Sequence, residues 1–341
     1  MDPTSLSKSH TLDVKKRFIM RAIKVHAFGG PEKLQLETEV EIPTPSKNEV
    51  LIKVNAAGVN PVETYVRSGT YTRKPQLPYT PGTDVAGVVE EVGSEVKDFK
   101  RGDRVYTTRT ISGAYAEYAT AEDMFVNNLN KKLSFAQGAC IGVPYYTAAK
   151  ALYIRAQSKP GETVVIHGAS GAVGVAAVQI SKALGLRVVG TAGTAEGVEM
   201  VRELGADFAV NHREEGYIQA IQDFIGGADI VLEVLANVNL KKDIELIKLQ
   251  GRILVVGSRG QIEWDPFSTV TKECSVIGVN IRATTPAEWN QMHSLFRAGQ
   301  EFGWLQPRVS KLYPLSEAAA SHQDVVHNQG TLGKLVLDAL N

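Results

Sequence analysis

Cysteine is scarce in this chain. Cys140 and Cys274 are the only two among 341 residues. One separated pair makes no disulfide framework, and a reducing compartment fits best. Net charge is also missing, because 37 Lys and Arg balance 37 Asp and Glu. That argues against a main role in broad electrostatic binding of nucleic acid, although it leaves room for a local patch. No apolar run approaches the roughly 20 residues needed to span a bilayer. Residues 1–19 hold no apolar segment for a secretory signal, and Asp2 and Asp13 count against a mitochondrial presequence. They read as a flexible extension, with the fold starting near Met20 and a cytoplasmic address expected. No period of 20–50 residues suggests repeats. What is present is ample core material: 43% of residues are hydrophobic and 22% charged.

The chain changes texture near residue 140. Before it, short strand-like runs are broken by Gly, Pro and Asn, as in "RAIKVHAFG", "VLIKVNAAG", "VAGVVEEVG", "DRVYTT" and "GAYAEYA". These mark a compact, mostly β module. After it, strand and helix signals alternate. Six strands are expected, in "TVVIHG", "LRVVG", "DFAVNH", "ADIVLEVL", "GRILVVG" and "SVIGVNI", with helices between them. One of those helices is expected near "LKKDIELIKL". Continuous apolar strands between helices imply a parallel sheet covered on both faces, the doubly wound α/β dinucleotide fold. The expected division is an extension over 1–19, a β module over 20–142 and a cofactor-binding domain over 143–283. A segment over 284–341 then returns to the first module.

Gly168, Gly171 and Gly174 stand between the first of those strands and its helix. One glycine permits a tight turn, one lets a pyrophosphate reach the backbone, and one lets helix and strand pack closely. The helix start offers free N–H groups and partial positive charge to phosphates. An NAD-dependent site usually places an acid about 20 residues past the loop, to hold the ribose 2′-hydroxyl. Here "VVGTAGTAEG" offers none before Glu196, which lies in the next helix start. The missing carboxylate favours NADP. His212 and Arg213, after the third strand, are the nearest donors for a 2′-phosphate, and they read otherwise as a solvated turn.

The stretches "GVNPVETYVRSGTY", "LPYTPGTDVAGVVEEVG", "SGAYAEYA", "HGASGAVG", "GTAGT", "NHRE", "LANVNL" and "VVGSRG" carry a wider resemblance from Met20 to Leu340. The chain resembles the medium-chain dehydrogenase/reductase superfamily. Within it, the match is to the zinc-free quinone oxidoreductases of the zeta-crystallin group. The resemblance implies a GroES-like catalytic domain beside a Rossmann domain, with NADPH as cofactor. Zinc-dependent members keep metal ligands at positions that here hold Asn60, Thr83 and Val143. Asn and Thr are poor zinc ligands and Val is none, so no metal is expected. Without a Lewis acid to hold an alkoxide, alcohol oxidation is a poor reading. A quinone needs less help.

The residues expected to act follow. Tyr65 is placed against both nicotinamide and substrate, and reads otherwise as a half-buried tyrosine. Asn60 offers an amide donor, and reads equally as a turn residue. Tyr71 lines the cleft mouth or sits on the surface. By family match, Thr147 meets the nicotinamide side. For the cofactor the resemblance adds Ser170, Ala172, Val173, Gly193, His212 and Asn239, then Val256, Gly257, Ser258 and Arg259 ending the fifth strand, and Val279, Asn280 and Ile281 ending the sixth. One of Tyr145 and Tyr146 is expected in the core, and Arg67 is expected to be a surface cation. The acceptor class is a quinone, with ortho-quinones favoured and a semiquinone product open. Enone or alkenal double-bond reduction is the alternative. The resemblance also raises single-stranded RNA binding, a crystallin-type structural role, and a homodimer or homotetramer joined through "SVIGVNI".

Overall fold

The computed structural model describes residues 18–327 and 332–341. Residues 1–17 of the expected extension lie outside the described residues, and Ile19 already opens the first strand. The first half runs β1 (Ile19–Lys24), β2 (Gln35–Glu41), β3 (Glu49–Gly58), α1 (Pro61–Ser68), β4 (Asp84–Val92), β5 (Arg104–Thr107), β6 (Tyr118–Glu122), β7 (Val126–Asn128) and α2 (Phe135–Ala149). The second half runs β8 (Thr163–Ile166), α3 (Ala172–Ala183), β9 (Arg187–Ala192), α4 (Ala195–Glu203), β10 (Phe208–Asn211), α5 (Tyr217–Ile225), β11 (Ala228–Glu233), α6 (Ala236–Leu246), β12 (Ile247–Val255), α7 (Phe267–Lys272) and β13 (Ser275–Gly278). The chain closes with α8 (Pro286–Phe302), β14 (Val309–Pro314), α9 (Ala318–His327) and β15 (Lys334–Asp338).

Strands β8 to β13 form one parallel sheet in the order β10-β9-β8-β11-β12-β13. Val164, Val165, Ile166, Ile230, Val231 and Leu232 are fully buried, as strands covered on both faces require. The order reverses between β8 and β11, which makes this the switch point where open α/β sheets bind their ligands. A second sheet runs β14-β15-β3-β4-β5-β7, with β6 also paired to β3. β15 lies antiparallel to β3, so the end of the chain completes the first module.

Helix α2 bridges the two halves. Ser134 caps its start, accepting from the Gln137 N–H. Gly142 leaves helical geometry at φ −36°, ψ −120°, and Pro144 lacks the N–H that would continue the ladder. Tyr145 and Tyr146 are both buried beyond that break, not just one of them. Tyr146 meets Trp289 at 4.8 Å between ring centres, and Tyr145 meets Phe296 at 6.0 Å. These contacts seat α8. The helix expected near "LKKDIELIKL" begins earlier, at Ala236, and stops at Leu246. Ile247, 1% exposed, is drawn into the sheet opposite Ala228. Tertiary burial thus overrides a helical pattern there.

Candidate active site

The glycine loop leaves β8 at the switch point. Gly168 turns at φ +62°, in the left-handed region that suits glycine. A Cβ on Gly174 would lie 2.3 Å from the Gly168 carbonyl oxygen and 2.4 Å from the Ala169 Cα, so close helix–loop packing requires glycine. A Cβ on Gly171 would meet only the Gly168 carbonyl oxygen, at 3.4 Å. That face of the loop is open. Gly171 is the N-cap of α3, followed by Ala172 and Val173, and the helix's first turn carries no acid. The Ser170 carbonyl accepts the Gly333 N–H at 2.8 Å, which ties the loop to the start of β15.

At the end of β9, His212 and Arg213 close on Gly193. A Cβ there would lie 3.1 Å from His212 Nε2 and 3.3 Å from Arg213 Nε. Burial pushes the His212 imidazole down, with His167, Arg213 and Lys242 adding repulsion. Along the carboxyl edge of the sheet, Gly257 O accepts from Ala236 N, and Val279 N donates to Val255 O. Arg259 N and the Ser258 hydroxyl both donate to Asn237 Oδ1, at 2.9 and 3.2 Å. Asn280 accepts the Arg282 N–H at 3.0 Å, starting the short turn that holds Ile281.

A buried group under the loop escaped the sequence reading. His167, Glu233 and Asp243 are 2%, 0% and 0% exposed. His167 Nε2 lies 2.9 Å from Asp243 Oδ1 and 3.9 Å from Glu233 Oε2. Glu233 Oε1 accepts from the Leu235 N–H and, at 3.4 Å, from Asn239 Nδ2, so Asn239 leans on Glu233. Burial pushes the Glu233 carboxyl up to about 7, with Asp243 pushing the same way and His167 opposing. Nothing local in the sequence marks these three, which come from β8, β11 and α6.

On the acceptor side, Asn60 caps α1 and Pro61 takes the first helical position. The Asn60 N–H donates to Glu63 Oε2 at 2.9 Å. Both hydrogens of its side-chain amide are engaged, by Glu63 Oε1 at 3.1 Å and Asp84 Oδ2 at 3.0 Å. Its Oδ1 accepts from Lys334 Nζ at 2.5 Å. The amide that was expected to face a substrate is therefore spent on the protein. Asp84 is fully buried and gathers four donors: Asn60 Nδ2, Lys334 Nζ at 2.9 Å, Thr108 Oγ1 at 2.8 Å and the Val143 N–H at 2.9 Å. The break at Gly142 makes the last of these possible. A Cβ on Gly142 would sit 2.2 Å from Asp84 Oδ1. Burial pushes the neighbouring Cys140 thiol up to about 12, so it is no nucleophile.

Arg67 is 6% exposed, not a surface cation. Its NH1 reaches His322 Nδ1 at 3.1 Å, His322 Nε2 lies 3.0 Å from the Tyr115 hydroxyl, and that hydroxyl donates to Glu63 Oε2 at 2.6 Å. Burial and Arg67 hold His322 down at about 3, so it is neutral. Neutral His322 then accepts at Nδ1 and donates from Nε2. Donors thus run one way from Arg67 to Glu63. Burial pushes the Glu63 carboxyl up, while Tyr115 and the Asn60 N–H pull it down.

Tyr65 is half-buried on α1, and its carbonyl takes the N–H groups of Thr70 and Tyr71 past the left-handed Gly69. Tyr71 is half-buried too, with the Arg282 guanidinium 5.7 Å from its ring centre. That contact joins the first module to the end of the sixth strand. Thr147 lies inside α2 at 7% exposure, away from the surface.

Two family models match this chain. One is described as an alcohol dehydrogenase GroES-like domain, over residues 46–131, and the other as a zinc-binding dehydrogenase, over residues 172–298. With the parallel six-stranded sheet beside the β module they define the medium-chain dehydrogenase/reductase class. A human quinone oxidoreductase is 53% identical over 321 residues, 94% of this chain and 98% of that protein. A 2-haloacrylate reductase from a Burkholderia species is 31% identical, covering 94% of this chain and 98% of that protein. Among solved structures, Escherichia coli quinone oxidoreductase complexed with NADPH superposes with a TM-score of 0.84 at 29% identity, covering 93% of this chain and 99% of that one. The chain belongs to the quinone oxidoreductase family and is an oxidoreductase. Among the described residues, no helix is long and apolar enough to cross a membrane.

Proposed function

We propose that this protein reduces quinones, ortho-quinones foremost, with NADPH and without a metal ion. One observation carries the reading: a lysine ammonium sits among the positions where zinc-dependent relatives keep their ligands. Zinc does not fit that donor set. All four acceptor positions of Asp84 are filled, Val143 contributes only an N–H, and Lys334 Nζ stands against both Asn60 Oδ1 and Asp84 Oδ2.

NADPH fits the other half of the site. Bound there, it would supply the reducing equivalents. Gly168, Ser170, Gly171, Ala172, Val173 and Gly174 would hold the pyrophosphate at the α3 N-terminus, where the face of Gly171 is open. His212 and Arg213 beside Gly193 would hold the 2′-phosphate, since β9 ends without an acid to repel it. Val256 to Arg259 and Val279 to Ile281 would line the cofactor at the sheet's carboxyl edge. The Tyr65 phenol, unclaimed by a hydrogen bond among the described residues, would donate to the acceptor oxygen as charge builds on it. Tyr71 and Arg282 would close the mouth. Thr147 would support the nicotinamide wall from inside α2.

The test is the decay of nicotinamide absorbance with 1,2-naphthoquinone, with NADPH and NADH compared, before and after chelator treatment. Fast NADPH consumption, slow NADH consumption and no chelator effect are expected. Activity lost to chelator and restored by zinc would overturn the metal-free reading. A second reading, reduction of an activated carbon–carbon double bond, is supported by the resemblance to the 2-haloacrylate reductase. It wins if methyl vinyl ketone is reduced and the quinone is not.

A further inference from the structure

We propose that Lys334 is the positioning cation of the acceptor site, a fixed ammonium doing the organising work that a metal does in zinc-dependent relatives. The inference rests on the quinone-reductase reading and deepens it.

The path of the side chain is built. Lys334 opens β15, directly after Gly333, whose φ is +109°. A Cβ on Gly333 would lie 2.2 Å from the Arg308 carbonyl oxygen, so that turn requires glycine. The Lys334 N–H donates to the same Arg308 carbonyl at 2.9 Å. Its aliphatic stem then crosses the bare face of Gly58, where a Cβ would come within 2.3 Å of Lys334 Cε. The ammonium ends 2% exposed, on Asn60 Oδ1 and Asp84 Oδ2.

The charge has a reason to be there. Asp84 is fully buried, and a carboxylate without a counter-charge at such a place is costly. Three of its four donors are neutral. Lys334 supplies the compensating charge that a divalent metal would otherwise supply.

The consequence is positional. By taking Oδ1, Lys334 fixes which way the Asn60 amide faces, and both Nδ2 hydrogens then fall on Glu63 and Asp84. That arrangement sets the first turn of α1, the helix that carries Tyr65. The other end of the link is the cofactor loop. Gly333, next in sequence to Lys334, gives its N–H to Ser170 O. Gly333 and Lys334 therefore join the phosphate loop to the wall on which the acceptor would lie. Lys334 itself is too buried to touch an acceptor, so it acts through Asn60 and α1.

The experiment compares the full chain with Lys334→Met and with the double variant Lys334→Met/Asp84→Asn. The double variant leaves no uncompensated carboxylate, and so stays folded where the single one does not. Calorimetry reads the dissociation constant of NADP+, then that of 1,2-naphthoquinone from the NADP+ complex, where no turnover occurs. Steady-state kcat and KM for the quinone accompany them. Groups that orient metal ligands through a hydrogen bond are worth about 10–100-fold, and by the same logic quinone affinity is expected to fall at least about tenfold while NADP+ affinity stays within about threefold. Quinone affinity within about twofold of wild type in the folded variants overturns the Lys334 assignment alone. A parallel loss of both ligands also overturns it, since the residue would then serve the whole fold. Wild-type protein that binds NADP+ but no quinone overturns the functional reading, and this assignment with it.

Discussion

Glu233 shows how one buried carboxyl sets a pH dependence. Its ordinary value is 4.5 and burial raises it to about 7 in the folded chain. Between those values the folded state keeps a proton that the unfolded state has lost. Its contribution to stability is therefore full below pH 4.5 and is lost as pH rises through 7, by an amount on the order of 1–3 kcal/mol. The groups facing it are His167, Asp243, Asn239 and the Leu235 N–H. Glu233→Gln keeps the acceptor for Leu235 and cannot ionise. Urea unfolding should show this variant stabilised by about 1–3 kcal/mol at pH 8 and little changed at pH 5. An equal shift at both pH values would show that ionisation of Glu233 is not the cause. Arg67 and Asn60 carry a related lesson. Each looked available for solvent or substrate, and each is consumed by partners far away in sequence.

The elements divide their labour by backbone geometry. In the loop between β8 and α3, two glycines with the same sequence signature do different work. Gly171→Ala meets no close protein atom, so melting temperature should hold, while NADPH affinity should fall at least about tenfold because the methyl stands where the pyrophosphate would approach. Gly174→Ala drives a methyl into the Gly168 and Ala169 backbone, and overpacking should cost about 1–3 kcal/mol of stability as well. Thermal denaturation and a fluorescence titration with NADPH separate the two. If both variants lose only affinity, the close packing at Gly174 is not what holds the loop. In α2, the break at Gly142 and Pro144 wastes one stretch of helix to aim the Val143 N–H at Asp84.

At the scale of the whole molecule, one open sheet edge among the described residues is apolar and bordered by exposed apolar side chains. β13 ends the six-stranded sheet, with Val276 exposed, and α7 nearby exposes Phe267 and Val270. An apolar open edge invites pairing. A dimer joined edge to edge through β13 is the expected state in solution, and Val276→Lys should release monomers in multi-angle light scattering. A wild-type monomer at micromolar concentration would reject it. Among the links between the two halves are Gly333 on Ser170, Arg282 over Tyr71 and Arg259 on the Val326 carbonyl.

Local pattern was enough for much of this. Apolar runs between helical periods defined the six parallel strands, because a strand buried on both faces must be apolar throughout. The spacing of Gly168, Gly171 and Gly174 between strand and helix located the loop, because tight turns and close packing exclude side chains. Other features were settled only by the folded chain. Ile247 left its helical pattern for the sheet, since burial outweighs propensity. Lys334 lies 274 residues from Asn60, and Asp84 lies 250 residues from Lys334. His322 is 255 residues from Arg67. Such contacts carry no periodicity and no motif. The sequence by itself determined the class of fold and the glycine turn between β8 and α3, through short-range geometry. The buried lysine and the network around Asp84 were decided by tertiary structure, because the need for a counter-charge arises only once the carboxylate is sealed from water.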